Sequence, residues 1–261
     1  DTMARMEALT LLASLLAGEN APEVQSMASM AMAEICRDNE DNQTSAADLG
    51  CVSSMVVLLR QSTSHAVKTE AAGAIWVLSN LHSANKISFA SAGAIKPLVQ
   101  LLGTTPQRGT EHAANALASI AFDNVDNLTQ VTALLVAMLG YGDLPAKSKA
   151  AASLWRLVQE NPASQHDIAS AGSAADLVHL LKKGSPDARS YALWSLSLSI
   201  NKDNQAVVLE TGGVAPLVAA LASQVQVERE QGGAALARLA KNNSEAQLAI
   251  TKGGAVSPLV N

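Results

Sequence analysis

The chain of 261 residues carries a formal net charge of −5 and a pI near 5.5, a balance that argues against phosphate backbones or anionic lipid surfaces as general partners. Hydrophobic residues make up 48 %, aromatics 3 % and charged residues 16 %, so an interior has to be built from Ala, Leu, Val, Ile and Met. The five histidines are scattered with no two at a metal-ligand spacing, and no P-loop, GxSxG or dinucleotide fingerprint occurs; the chain is expected to be no enzyme and to hold no cofactor or metal.

In chain order, the first apolar run, residues 8–17, is too short to span a bilayer and reads as a core helix. Cys36 and Cys51, the two cysteines, fall in apolar helical stretches without a CxxC spacing and read as buried, reduced thiols. From there a phrase returns: GCVSSMVVLL from Gly50, GAIKPLVQLL from Gly93, GSAADLVHLL from Gly172, GGVAPLVAAL from Gly212 and GAVSPLV from Gly254. EALTLLASLL from Glu7 and QVTALLVAML from Gln130 fit the same frame without the glycine. The units therefore start near 7, 50, 93, 130, 172, 212 and 254, in steps of 37 to 43 residues, a period that belongs to helical solenoids. One domain of about six stacked units over 1–261 is expected, with a partial unit at each end, and both ends read as fragment boundaries.

The unit at Gly93 shows the physics. Gly93 breaks one helix, and Ile95, Leu98, Val99, Leu101 and Leu102 make the apolar stripe of the next, with Pro97 in its first turn where a missing N–H costs nothing. A loop of residues 103–109 precedes a long amphipathic run over 110–122. Asp123-Asn124-Val125-Asp126-Asn127 then supplies turn and capping side chains before a short helix toward Val131. Similar polar strings follow the other long helices, at 38–42, 161–164, 201–204 and 242–245. The N-x-S/T matches that begin at Asn42, Asn127 and Asn242 lie in these loops and are read as loop residues, not glycan sites. The unit at Gln130 lacks its glycine, which should merge or shorten its first two helices, and residues 140–145 read as a long irregular loop.

The string Ala74-Ile-Trp-Val-Leu-Ser-Asn-Leu81, the N-x-x-N-Q loops ending at Gln43 and Gln205, and the helix after Gly93 resemble armadillo repeats over essentially the whole chain. HEAT repeats fit less well, because they lack this glycine and the W-x-x-x-N long helix. The resemblance implies an all-α, right-handed α-solenoid with three helices per repeat, whose long third helices line a concave groove that receives extended peptides or partner helices.

Armadillo proteins of the importin-α type carry Trp and Asn four residues apart on successive third helices, one face holding both. Trp76 and Asn80 match that pair. The same register elsewhere gives Met30/Glu34, Asn115/Ser119, Ala152/Arg156, Trp194/Leu198 and Ala234/Arg238, so the ladder is mostly absent and Arg156 and Arg238 would repel a basic signal. The candidate groove is thus a mixed face of Trp76, Asn80, Glu111, Asn115, Ser119, Arg156, Trp194 and Arg238, suited to a partner with apolar anchors and acidic positions. Trp155 is out of register and is expected in or beside the repeat core. The function expected is a non-catalytic protein-interaction scaffold, cytoplasmic, with the nucleus and the cytosolic face of a membrane also open. The alternatives are a lipid-anchored adaptor for organelle or vesicle positioning, a nuclear-import receptor, and a cytoskeletal or ciliary component. Partners are other proteins through extended segments, with no nucleic acid, and with a membrane only indirectly through a terminus outside this sequence.

Overall fold

Four of the predicted glycine breaks are left-handed turns: Gly50, Gly93, Gly212 and Gly254 have φ of +81°, +84°, +68° and +83°. A Cβ at Gly50, Gly93 or Gly254 would meet nothing within 4 Å, so backbone conformation and not crowding calls for glycine there. The computed structural model describes residues 2–16, 20–104, 107–160 and 173–255, and every regular element among them is an α-helix. The predicted break at Gly172, the polar string at 161–164 and the last repeat beyond Ala255 lie outside the described residues. The chain divides into two compact units, 1–131 and 132–261.

In the first unit the helices run α1 Thr2–Leu16, α2 Pro22–Cys36, α3 Glu40–Asp48, α4 Cys51–Gln61, α5 His65–Ser79, α6 Ser83–Ser91, α7 Ile95–Thr104 and α8 Gln107–Ala121. The long helices α2, α5 and α8 pack side by side, and the middle helices α4 and α7 pack on α5 and α8. Leu9, Met32, Met55, Ile75, Leu78, Phe89, Leu98 and Leu117 are fully buried between them, each such side chain contributing roughly 1.5–3 kcal/mol of transfer free energy. Cys36 and Cys51 are buried free thiols. Burial pushes the Cys36 thiol up to about 12, with a smaller push from Cys51, and burial alone takes Cys51 to about 11.

The expected loss of the helix break in the fourth repeat has taken the form of a merger. Gln130 sits inside α9, a single helix over Val125–Tyr141. The long irregular loop expected at 140–145 is instead a two-residue link. Asp143 accepts from the backbone N–H of Ala146 at 2.8 Å, and Pro145 falls in the first turn of α10, Leu144–Glu160, so the Gly-Tyr-Gly-Asp-Leu-Pro string codes for a cap and a helix start.

The second unit continues with α11 Ala174–Lys183, α12 Pro186–Ser199, α13 Gln205–Glu210, α14 Val214–Leu221, α15 Gln226–Ala240 and α16 Ser244–Lys252. Its long helices α10, α12 and α15 pack in a row, with α11 on α12 and α14 on α15. Leu154, Leu177, Leu180, Leu196, Leu217 and Leu239 are fully buried.

The polar strings have two jobs. Their first is capping: Asn39, His82, Asn124 and Asn243 accept from the N–H three residues on, at 3.0, 3.2, 2.9 and 2.9 Å. Their second is fastening. Asn42, Asn85 and Asn127 each donate to the carbonyl seven residues back, at the end of the preceding long helix, at 2.6, 2.8 and 3.0 Å. Gln43, Lys86 and Gln205, each directly after an asparagine, reach the end of the next long helix, donating to the carbonyls of Val77, Phe122 and Arg238, each at 2.9 Å. Orphan carbonyls at helix C-termini are thereby paired. Lys86 is only 5 % exposed and stands 4.8 Å from the Phe122 ring centroid; burial lowers its pKa. These bonds also occupy the amides of Asn42 and Asn127, both buried.

After four long helices the chain turns through a non-glycine residue in the left-handed region: Asp38, Leu81, Asp123 and Asn242, with φ of 53° to 55°. Asp and Asn tolerate this conformation; Leu pays about 1–2 kcal/mol for it. The Leu81 side chain is 77 % exposed and gives up little packing if removed. Leu81→Asn should stabilise the protein by about 1 kcal/mol, read as a raised urea midpoint; an unchanged or lowered midpoint contradicts the strain argument.

Candidate functional site

On α5, Trp76 and Asn80 stand one helical turn apart, as the register requires, and both are half-buried. The Asn80 backbone N–H donates to the Trp76 carbonyl at 3.0 Å and ends the helix; its side-chain amide has no hydrogen-bond partner among the described residues. The Trp76 ring lies 6.4 Å from that of His112 on α8, tilted by 43°. His112 Nδ1 is 3.0 Å from the Thr69 carbonyl, which can only accept, so the proton is on Nδ1. Gly73 makes this approach possible, because a Cβ there would lie 2.7 Å from His112 Nδ1.

The remaining candidates of the α8 face divide. Glu111 is exposed and accepts from Gln107 at 2.9 Å. Asn115 is half-buried. Ser119 is 8 % exposed and accepts a hydrogen bond from Ser79 at 3.0 Å, which makes it a tie between α5 and α8 and takes its hydroxyl out of reach of a ligand.

The second unit holds a cluster that register alone missed. Trp194 on α12 is half-buried and packs 5.3 Å from Trp155 on α10, which in turn lies 5.9 Å from Tyr191. Trp155 is therefore only partly in the core: its ring joins a half-exposed aromatic group spanning two adjacent long helices. The i, i+3 spacing of Tyr191 and Trp194 is the signal that could have found Tyr191. Arg156 is half-buried beside this cluster in sequence. Arg238 on α15 is exposed and donates to the Leu198 carbonyl at 3.0 Å, capping α12 from the neighbouring helix. Ser190 and Ser197 donate across to Glu228 and Gln231 at 2.7 and 2.6 Å, tying α12 to α15.

Among the described residues no three of His, Cys, Asp and Glu are grouped to hold a metal ion, and no helix is long and apolar enough to cross a membrane. What is assembled is a pair of aromatic platforms, one per unit, on adjoining long helices, flanked by amide and guanidinium groups. Such a surface is fitted to contact and orientation.

An engineered protein of known structure superposes on 96 % of the chain with a TM-score of 0.74 at 27 % identity, the chain spanning 62 % of that protein. Designed armadillo repeat proteins for modular peptide recognition superpose on 88 % of it, matching 99 % of their own length, with a TM-score of 0.65 at 22 % identity. The fold is that of armadillo-type repeats. Another designed armadillo repeat protein, solved in complex with the peptide (KR)4, covers the same share with a TM-score of 0.67 at 22 % identity. In sequence, the chain is 25 % identical over 238 residues to U-box domain-containing protein 44 of Arabidopsis thaliana, matching 88 % of its own length but 29 % of that protein's. No protein-family profile matches the sequence.

Proposed function

We propose that this chain is a non-catalytic protein-interaction scaffold that holds extended segments of partner proteins against its rows of long helices. The observation that carries the reading is the Trp155–Tyr191–Trp194 cluster, with centroids 5.3 and 5.9 Å apart on neighbouring helices and each residue half-buried. Large, rigid side chains of this kind supply contact area at little entropic cost. The Trp76–His112 pair with the Asn80 amide offers the first unit a similar, smaller platform. The peptide-bound designed protein supports peptide capture by this repeat architecture. Its (KR)4 ligand is the wrong sign for the second unit here, where Arg156 and Arg238 stand in the row of long helices; apolar anchors flanked by acidic residues suit that face better.

The test is an array of peptides combining one or two apolar anchors with Asp or Glu, compared with basic peptides. Peptides held by the native chain should bind at least tenfold more weakly to the Trp155→Ala/Trp194→Ala variant, the loss of large hot-spot side chains being worth about 2 kcal/mol or more. Equal binding of every captured peptide by the native chain and this variant, or a preference for the basic set, would refute the reading.

A further inference from the structure

A different part of the first unit gathers positive charge. Between residues 49 and 110 there are five Lys or Arg residues and a single acid, Glu70, a local net charge of +4 that leaves −9 for the rest of a chain whose total is −5. Two of the five are spoken for: Arg108 pairs with Glu70 at 3.1 Å, and Lys86 donates to the Phe122 carbonyl. The other three, Arg60 from the last turn of α4, Lys68 from α5 and Lys96 from the first turn of α7, line one cavity of about 450 Å³ together with Gly93, Gln100 and Thr104.

No acidic residue lines it. Among the described residues no ion pair or side-chain hydrogen bond engages Arg60, Lys68 or Lys96. Lys96 sits in the first turn of α7, where the helix dipole disfavours a cation and favours an anion. Three cations from three helices thus line one cavity with no acidic residue among its lining, an arrangement suited to an anion.

We infer that this cavity, distinct from the aromatic platforms, binds a phosphate monoester carried by a partner polypeptide. One guanidinium fork satisfies a carboxylate; three cations from three helices match the charge of about −1.5 to −2 and the three acceptor oxygens of a phosphate monoester. The cavity runs along α7 from Gly93 to Thr104, a helix of ten residues and so about 15 Å long, which leaves room for chain on either side of a phosphate. Gln100 provides an amide for that flanking backbone, and the open space above Gly93 provides clearance.

Isothermal titration of the full chain with a phosphoserine peptide of Gly and Ser, its unphosphorylated twin and inorganic phosphate tests this. The phosphopeptide should bind at least tenfold more tightly than either of the others, and its affinity should fall as salt rises from 50 to 300 mM. Arg60→Gln and Lys96→Gln, both at exposed positions, should each weaken it by fivefold or more with the helical circular dichroism unchanged, whereas Lys241→Gln, remote in sequence from the cavity, should leave it unaltered. Equal binding of the two peptides, or indifference to the Arg60 and Lys96 substitutions, overturns the proposal; phosphate binding that gains nothing from the peptide overturns a polypeptide as the carrier.

Discussion

Asn85→Ala should destabilise the protein by about 2–3 kcal/mol, the cost expected when buried acceptors lose their donor. The Asn85 amide is 2 % exposed and donates to the Leu78 carbonyl at the end of α5, at 2.8 Å, and to the Gln43 carbonyl on α3, at 3.1 Å. One side chain thus closes the α5 C-terminus and joins the first helices of two successive repeats. Asn85→Asp separates hydrogen bonding from shape: it keeps the volume but directs a carboxylate at two carbonyl oxygens, and should cost at least as much as alanine at neutral pH. Urea denaturation followed through Trp76, with Trp155 and Trp194 replaced by Phe, reports on the first unit. A loss under 0.5 kcal/mol for both variants would mean that water replaces the amide and that the fastening is incidental.

Gly73→Ala is expected to act against helix propensity. Alanine in a helix interior ordinarily gains up to about 1 kcal/mol over glycine. Here the added methyl would stand 2.7 and 2.9 Å from His112 Nδ1 and Cε1, so the ring has to leave its place against Thr69 or the two helices have to part. A net loss of about 1–3 kcal/mol follows, together with a changed Trp76 emission, because that indole packs on the displaced ring. Combining the substitution with His112→Ala should reverse its sign and restore the propensity gain. If Gly73→Ala is stabilising while His112 is present, the Trp76–His112 platform is not assembled as described.

The parts of the structure that can be read from sequence are those decided within a few residues. The glycine breaks follow from a φ that only glycine adopts freely, and the Asn caps follow from one side chain reaching an N–H three positions ahead. The merger of two helices at Gln130 follows from the same rule in reverse. Local reading failed at residues 140–145, where glycines suggested a loop and the Asp143 cap with Pro145 in the first turn allowed almost none. It also placed Trp76, Asn80, Glu111 and Arg238 on helix faces without saying what each would meet. The burial of Ser119 against Ser79, the ring of His112 over Gly73 and the inclusion of Trp155 with Tyr191 and Trp194 depend on how far neighbouring helices rotate and how closely they approach, and no spacing within one helix contains that information.

The fastenings made by Asn42 with Gln43, Asn85 with Lys86 and Gln205 have a consequence for growth of the chain. Each ends within its own repeat or at the adjoining one, at sequence separations no greater than 42 residues, and none demands a partner at a fixed place in the whole. The number of repeats is therefore not dictated by the polar bonding of any of them. Duplication or loss of one full period hands every severed amide an equivalent carbonyl, so evolution can lengthen or shorten such a protein without re-inventing its joints.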